Sequence, residues 1–267
     1  MTIRVLVERP AAELIRYAVR AELLADAAHD PEPLRFAAGL LRVQAEVVGI
    51  LEAKHAAHVF SGRPNEDVRR ILAPLLEVPR FVARAAPQPL AREAESRSSE
   101  DASDARTRLL VYWGGGRTSA EDYLSRAMLR PYLEVLRAED IPPERPRRGC
   151  PFCGGDPAVG AVRGGIEDVT GARSLHCALC GLEWEMEAVL CVACGERDPA
   201  KLASFASDVV PGVRLDTCQA CGRYLKTLDL AHDPGLLPEV DDLTSLALDQ
   251  WADQQGFTRV EPGLVGI

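Results

Sequence analysis

Eight cysteines lie between positions 150 and 221 and form four C-x-x-C pairs: Cys150/Cys153, Cys177/Cys180, Cys191/Cys194 and Cys218/Cys221. None is left over. Two thiolates flanking a two-residue turn can face one ion, and two such turns close a tetrahedral site. A shift of 41 residues carries the first two pairs onto the last two, so each half reads C-x2-C-x23-C-x2-C. Gly154, Gly181, Gly195 and Gly222 follow the pairs. Glycine permits the positive φ of a metal knuckle, whose amides donate to the thiolates. The repeat favours Cys150, Cys153, Cys177 and Cys180 on one ion and Cys191, Cys194, Cys218 and Cys221 on another. The ten residues between Cys180 and Cys191 leave a crossed grouping open.

The chemistry expected is two mononuclear sites with four cysteine ligands each. Tetrahedral S4 suits zinc and iron equally. Four protein ligands leave no open position, so the sites read as structural, and metal binding is expected to fold this half of the chain. Disulfides are disfavoured in a chain read as cytoplasmic. Redox pairs would need a single C-x-x-C, and iron–sulfur clusters use other spacings.

The elements that position these ligands follow from composition. Residues 1–146 read as a mainly α-helical domain. Apolar spacing predicts helices from Pro10, over about 33–60, and from Asn65 as N-cap, the last split by Pro74 and Pro79. Residues 86–106 are charged and serine-rich and read as a flexible segment. A further helix opens near Ser119 and bends at Pro131. Residues 147–188 and 189–230 read as two tandem rubredoxin-like or zinc-ribbon modules, with strands near Ala158–Arg163 and Trp184–Leu190. Residues 231–267 hold a closing helix, Pro238 to Gly256, with Val240, Leu243, Leu246, Ala247 and Trp251 on one side. The fold class expected is α+β.

Charge divides unevenly. Residues 1–149 carry 23 Lys+Arg against 22 Asp+Glu; residues 150–267 carry 8 against 18, a net of −10. That balance weighs against a nucleic-acid partner for the cysteine half. No run of apolar residues suggests a membrane span, and Arg4, Glu8 and Arg9 interrupt any leader, so a cytoplasmic location is expected.

Other residues read as bystanders. His55 and His58 fit a solvated helix face, and His176 sits beside Cys177 without being needed as a ligand. Asp241 and Asp242 fit helix caps. Gly114-Gly115-Gly116 fits a turn, and Trp184 and Tyr224 fit ribbon packing. No catalytic triad, carboxylate pair or dinucleotide fingerprint is present, so no enzyme is expected.

The order Cys150-Pro151-Phe152-Cys153-Gly154, Leu175-His176-Cys177 to Cys180, Glu183-Trp184, Cys191 to Cys194, then Cys218 to Cys221 with Gly222-Arg223-Tyr224-Leu225-Lys226, closes on Asp241-Asp242-Leu243-Thr244-Ser245-Leu246-Ala247-Leu248-Asp249. Over residues 147–257 this resembles the formate dehydrogenase accessory protein family, FdhE. The resemblance implies a cytoplasmic, non-enzymatic factor that matures formate dehydrogenase and binds its catalytic subunit, which is often exported by the twin-arginine route. It implies iron in rubredoxin-like sites on the eight cysteines, with zinc possible. A rubredoxin-like electron carrier and a zinc-ribbon nucleic-acid binder are the alternatives.

Overall fold

A computed structural model describes residues 9–146, 149–165, 173–187 and 189–266. The fold is α+β, and the chain divides into two compact units. One holds the described residues up to 23 and 35–146; the other holds 24–34 and the described residues from 149 onward. Among the described residues no helix is long and apolar enough to cross a membrane.

The first unit is helical. Its elements are α1 (Pro10–Ala27, its first turns), α2 (Glu32–Ala57), α3 (Pro64–Leu75), α4 (Glu77–Ala85), α5 (Leu90–Ser98), α6 (Ala102–Trp113) and α7 (Tyr123–Ala138). Leu14, Leu41, Leu51, Ile71, Leu124 and Leu133 are fully buried, and on α2 the buried Leu34, Leu41, Val48 and Leu51 recur at helical spacing. Helix α3 begins one residue earlier than expected. Pro64 takes a first-turn position, where its missing N–H costs nothing, and Arg63 rather than Asn65 is the N-cap. Leu76 ends α3 and starts α4, the break expected between Pro74 and Pro79. Helix α7 starts at Asp122, whose carboxylate accepts from the Ser125 amide at 2.9 Å, and runs on through Pro131.

The charged stretch expected to be flexible forms α5 and the start of α6. Composition hid a narrow inner face: Ala91, Ala94 and Arg97 are buried at i, i+3 and i+6. Arg97 is partnered inside by Asp122, and Asp101 caps α6 through the Ser103 and Asp104 amides. A helix that buries alanines and one paired arginine needs few large apolar residues.

The second unit is built on one sheet rather than two separate ribbons. Its strands are β1 (Pro157–Val162), β2 (Arg173–Cys177), β3 (Glu183–Met186), β4 (Leu202–Ser207), β5 (Val210–Cys218), β6 (Arg223–Asp229) and β7 (Thr258–Arg259). The order is β3-β2-β1-β6-β5-β4, with β7 beside β6. Each half is an antiparallel three-stranded ribbon, and a parallel pairing of β1 with β6 joins them: Gly160 opposite Thr227, Ala161 opposite Leu228, Val162 opposite Asp229. β1 is buried at all six positions, as its run Pro-Ala-Val-Gly-Ala-Val requires of a central strand. β3 stops at Met186, short of the strand expected to Leu190.

The closing helix is also broken. It consists of α8 (Pro238–Asp241), a 3-10 turn (Asp242–Ser245) and α9 (Leu246–Gln254), ended by Gly256 at φ +81°. The tighter turn rotates the face expected for a single helix. Ala252, with Leu248 and Trp251, packs on Leu215 and Tyr224, while Ala247 is exposed. The turn also carries Asp242 inward, against the expectation of a cap. Lys226, fully buried on β6, pairs with Asp249 at 2.6 Å and Asp242 at 2.9 Å. Arg259 on β7 pairs with Asp242 at 2.7 Å and Asp249 at 3.2 Å, and donates to the Ala158 carbonyl of β1 at 3.0 Å. Tyr224 donates to Asp249 at 2.6 Å. Two cations and two carboxylates balance, so the burial is tolerable. Asp241 does act locally, accepting from the Leu237 amide at 2.8 Å.

Replacing Lys226 by Met leaves two carboxylates facing one arginine and should cost about 3–5 kcal/mol of stability in denaturant unfolding. Burial pushes the Asp242 carboxyl up, but Arg259 and Lys226 outweigh it and hold the group below its ordinary value of 3.8. Its contribution is therefore complete at neutral pH. It should be lost as pH falls below about 4 and through the depressed pKa, which acid titration of the unfolding midpoint will show.

Candidate metal centres

Each cysteine pair folds into the same knuckle. The amide of the glycine after the pair donates to the carbonyl of the first cysteine: Gly154 to Cys150 at 2.8 Å, Gly181 to Cys177 at 3.1 Å, Gly195 to Cys191 at 2.9 Å and Gly222 to Cys218 at 2.9 Å. All four glycines have φ between +67° and +78°, a region a side chain resists. The knuckles sit at strand ends: two flank the β1–β2 ribbon and two flank the β4–β5–β6 ribbon.

Two sets of four sulfurs result. Cys150, Cys153, Cys177 and Cys180 form the first, Cys191, Cys194, Cys218 and Cys221 the second, and the sulfurs of a set lie within 4.8 Å of one another. The crossed grouping left open by the spacing does not occur. In the first set Sγ separations are 3.7 Å (Cys150 to Cys180) and 3.4 Å (Cys153 to Cys177). In the second they are 3.7 Å (Cys191 to Cys221) and 3.8 Å (Cys194 to Cys218). A tetrahedron with metal–sulfur bonds of about 2.3 Å has edges of about 3.8 Å, whereas a disulfide would bring sulfurs to about 2.05 Å. The sets thus fit a tetrahedral ion and are not disulfides. Backbone amides turn to the sulfurs, Gly155 to Cys153 and Leu179 to Cys177, both at 3.4 Å.

The acid–base balance points the same way. In the first set, hydrogen bonds from Cys153, Cys177 and Cys180 pull the Cys150 thiol down. Burial pushes Cys177 far up, and sharing with Cys150 and Cys153 does the same to Cys180. In the second, burial pushes Cys221 up to about 12 and raises Cys191. Cys218 is lowered: burial opposes this, but the Cys221 and Ala220 amides outweigh it. Four clustered sulfurs do not all ionise on their own, and a divalent cation removes that obstacle.

The sets differ in access. All four cysteines of the first are buried; in the second Cys194 is exposed and Cys221 half-buried. A cavity of about 270 Å³ flanks the second set, with Cys191 and Cys218 in its wall beside Arg173, Arg214 and Asp216.

The remaining candidates fall outside these sets. His176 is buried on β2, with Nε2 4.0 Å from Glu183. His55 is buried rather than solvated: its Nδ1 accepts from the Phe60 amide at 3.1 Å, closing the end of α2. His58 is exposed. The three glycines from Gly114 form a turn after α6. Trp184 packs on Leu175, Leu225 and Val260. Sequence reasoning missed Arg173, Arg214 and Asp216. The signal was present, since the 41-residue shift lays Arg173 on Arg214, each four residues before a cysteine pair.

The models "FdhE, central domain" and "FdhE, C-terminal domain" match residues 149–187 and 189–265. A protein of Aquifex aeolicus named "Protein FdhE homolog" is 37% identical over 117 residues, 44% of this chain and 41% of the relative. One of Pseudomonas putida with the same name is 36% identical over 138 residues, 50% and 43% of the two chains. These matches thus span about two-fifths of the curated relatives. The crystal structure of the FdhE protein from Pseudomonas aeruginosa superposes with a TM-score of 0.66 at 27% identity, covering 97% of both chains.

Metal uptake should release protons, because ligands that are thiols before binding become thiolates. Affinity should therefore fall as pH falls, measurable by chelator competition between pH 8 and pH 6. In metal-loaded protein, iodoacetamide should modify Cys194 before any cysteine of the first set, read by peptide mass mapping.

Proposed function

Because residues 149–187 and 189–265 match the two FdhE domains, we propose that this chain is an FdhE-type metal-binding accessory factor in the maturation of formate dehydrogenase, acting in the cytoplasm by binding the catalytic subunit. The observation that carries the reading is the pair of closed four-sulfur sets inside the segment that matches both FdhE domains. Cys150, Cys153, Cys177 and Cys180 hold one ion and Cys191, Cys194, Cys218 and Cys221 the other. Iron is favoured by the family resemblance, and zinc fits the same geometry.

The bound ions supply rigidity, and iron would add one-electron chemistry. Four sulfurs per ion leave no position for a substrate, so the sites support a binding surface rather than a reaction. A surface fixed before contact loses less entropy when the partner docks. Arg223, Tyr224 and Lys226 illustrate how the sheet is kept in shape. Arg223 donates to the Arg259 carbonyl at 3.0 Å, and the other two anchor the C-terminal segment.

One observation favours an electron carrier as a second reading: Cys194 is exposed at the second set, the access a redox partner needs. Metal analysis and visible spectra on protein purified without oxygen separate the two. Two irons with a reversible couple support the carrier, and two colourless zincs remove it. Affinity capture of the full chain from formate-grown cells should recover the dehydrogenase catalytic subunit. A Cys153→Ser chain should recover several-fold less. Capture that never contains that subunit would overturn the accessory reading.

A further inference from the structure

We propose that Arg173 is a positioning residue coupling the two four-sulfur sets, so that the second binds metal at full affinity only when the first has fixed strand β2. The proposal rests on the metal-binding reading above. Arg173 opens β2 and Cys177, a sulfur of the first set, closes it. The guanidinium then reaches the approaches to both knuckles of the second set. Its Nη2 donates to the Leu190 carbonyl at 2.6 Å, immediately before Cys191. Its Nη1 donates to Asp216 at 3.1 Å, two residues before Cys218 on β5. The side chain is only 4% exposed, so water does not compete for these bonds.

Asp216 is held as a fixed anchor for this reach. Its Oδ1 accepts from Arg214 Nε at 2.9 Å and Ser204 Oγ at 2.6 Å; its Oδ2 also accepts from Thr227 Oγ1 at 2.7 Å. Arg173 and Arg214 are counterparts in the 41-residue repeat, yet both converge on this one carboxylate. The counterpart of Asp216 in the first half is Leu175, so no matching carboxylate serves the first set at that position. The link is thus built at the second set and anchored in the first. Removing a metal from the first set loosens Cys177, and β2 transmits this to the Leu190–Cys191 corner.

Cobalt(II) titration of the full chain under chelator competition tests this, using thiolate charge-transfer absorbance to follow each step. In Arg173→Gln the second-set affinity should fall by between about 5- and 150-fold, the usual range of a coupling between sites, with first-set affinity nearly unchanged. Cys177→Ser should weaken the second set in the natural background and much less in the Arg173→Gln background. Asp216→Asn removes the same arm from the other side and should reproduce the loss if Arg173→Gln does not fold. Amide exchange should quicken at residues 189–194 in Arg173→Gln and stay slow in the first knuckles. Equal second-set affinity in Arg173→Gln, or an identical Cys177→Ser effect in both backgrounds, would overturn the coupling. A natural chain that takes up no cobalt would instead overturn the metal reading itself.

Discussion

Four sulfurs brought within 4.8 Å of one another repel as thiolates and are costly to bury as thiols. The second unit is arranged around that conflict. Knuckles with positive-φ glycines bend the chain sharply enough to aim two sulfurs at one point. Three-stranded ribbons then carry pairs of knuckles together. A bound metal ion would resolve the repulsion, and the amides directed at sulfur lower what remains. The apolar clusters of this unit are small, Val159, Val213 and Leu228 forming one, so a metal centre would add to what orders its loops.

The first set and the second solve the problem with different margins. The first is sealed, with all four of its cysteines buried. The second sits beside a cavity with one sulfur open to solvent. Its surroundings substitute a fork of two arginines on one aspartate for burial. Elsewhere in the sheet, Lys226 and Arg259 hold Asp242 and Asp249 in a neutral square that fastens α9 and β7. Both networks use buried charge where a larger protein would use bulk.

The cysteine sets and their glycines were legible because ligand spacing is local and the repeat is long. The first helices were legible for the same reason, since leucine spacing reports a face. What could not be read depended on partners far along the chain. Arg97 looked like solvated charge until Asp122 met it. Asp242 looked like a cap until the 3-10 turn faced it toward Lys226. The parallel joint between β1 and β6 connects residues 67 positions apart and leaves no periodic trace, so the sequence suggested two ribbons instead of one sheet. His55 was misplaced because a histidine that closes a helix end looks, in sequence, like one that faces water.

The joint between the ribbons has a further implication. In repeat terms the sheet runs third, second, first, then third, second, first again, so the halves add head to tail and the joint does not use up its own geometry. The outer strands, β3 and β4, are the counterparts of the two strands that meet in the middle. Such an arrangement is open-ended, like a row of tiles whose last edge matches its first. The β3 edge carries Glu183, Glu185 and Glu187 on alternating positions around Trp184 and Met186. Glu183 pairs with Arg163 at 3.1 Å and Glu187 with Arg197 at 2.6 Å, and charged side chains along an edge strand discourage the addition of a further strand. The charged side chains of that edge thus work against a pattern that geometry alone would let continue.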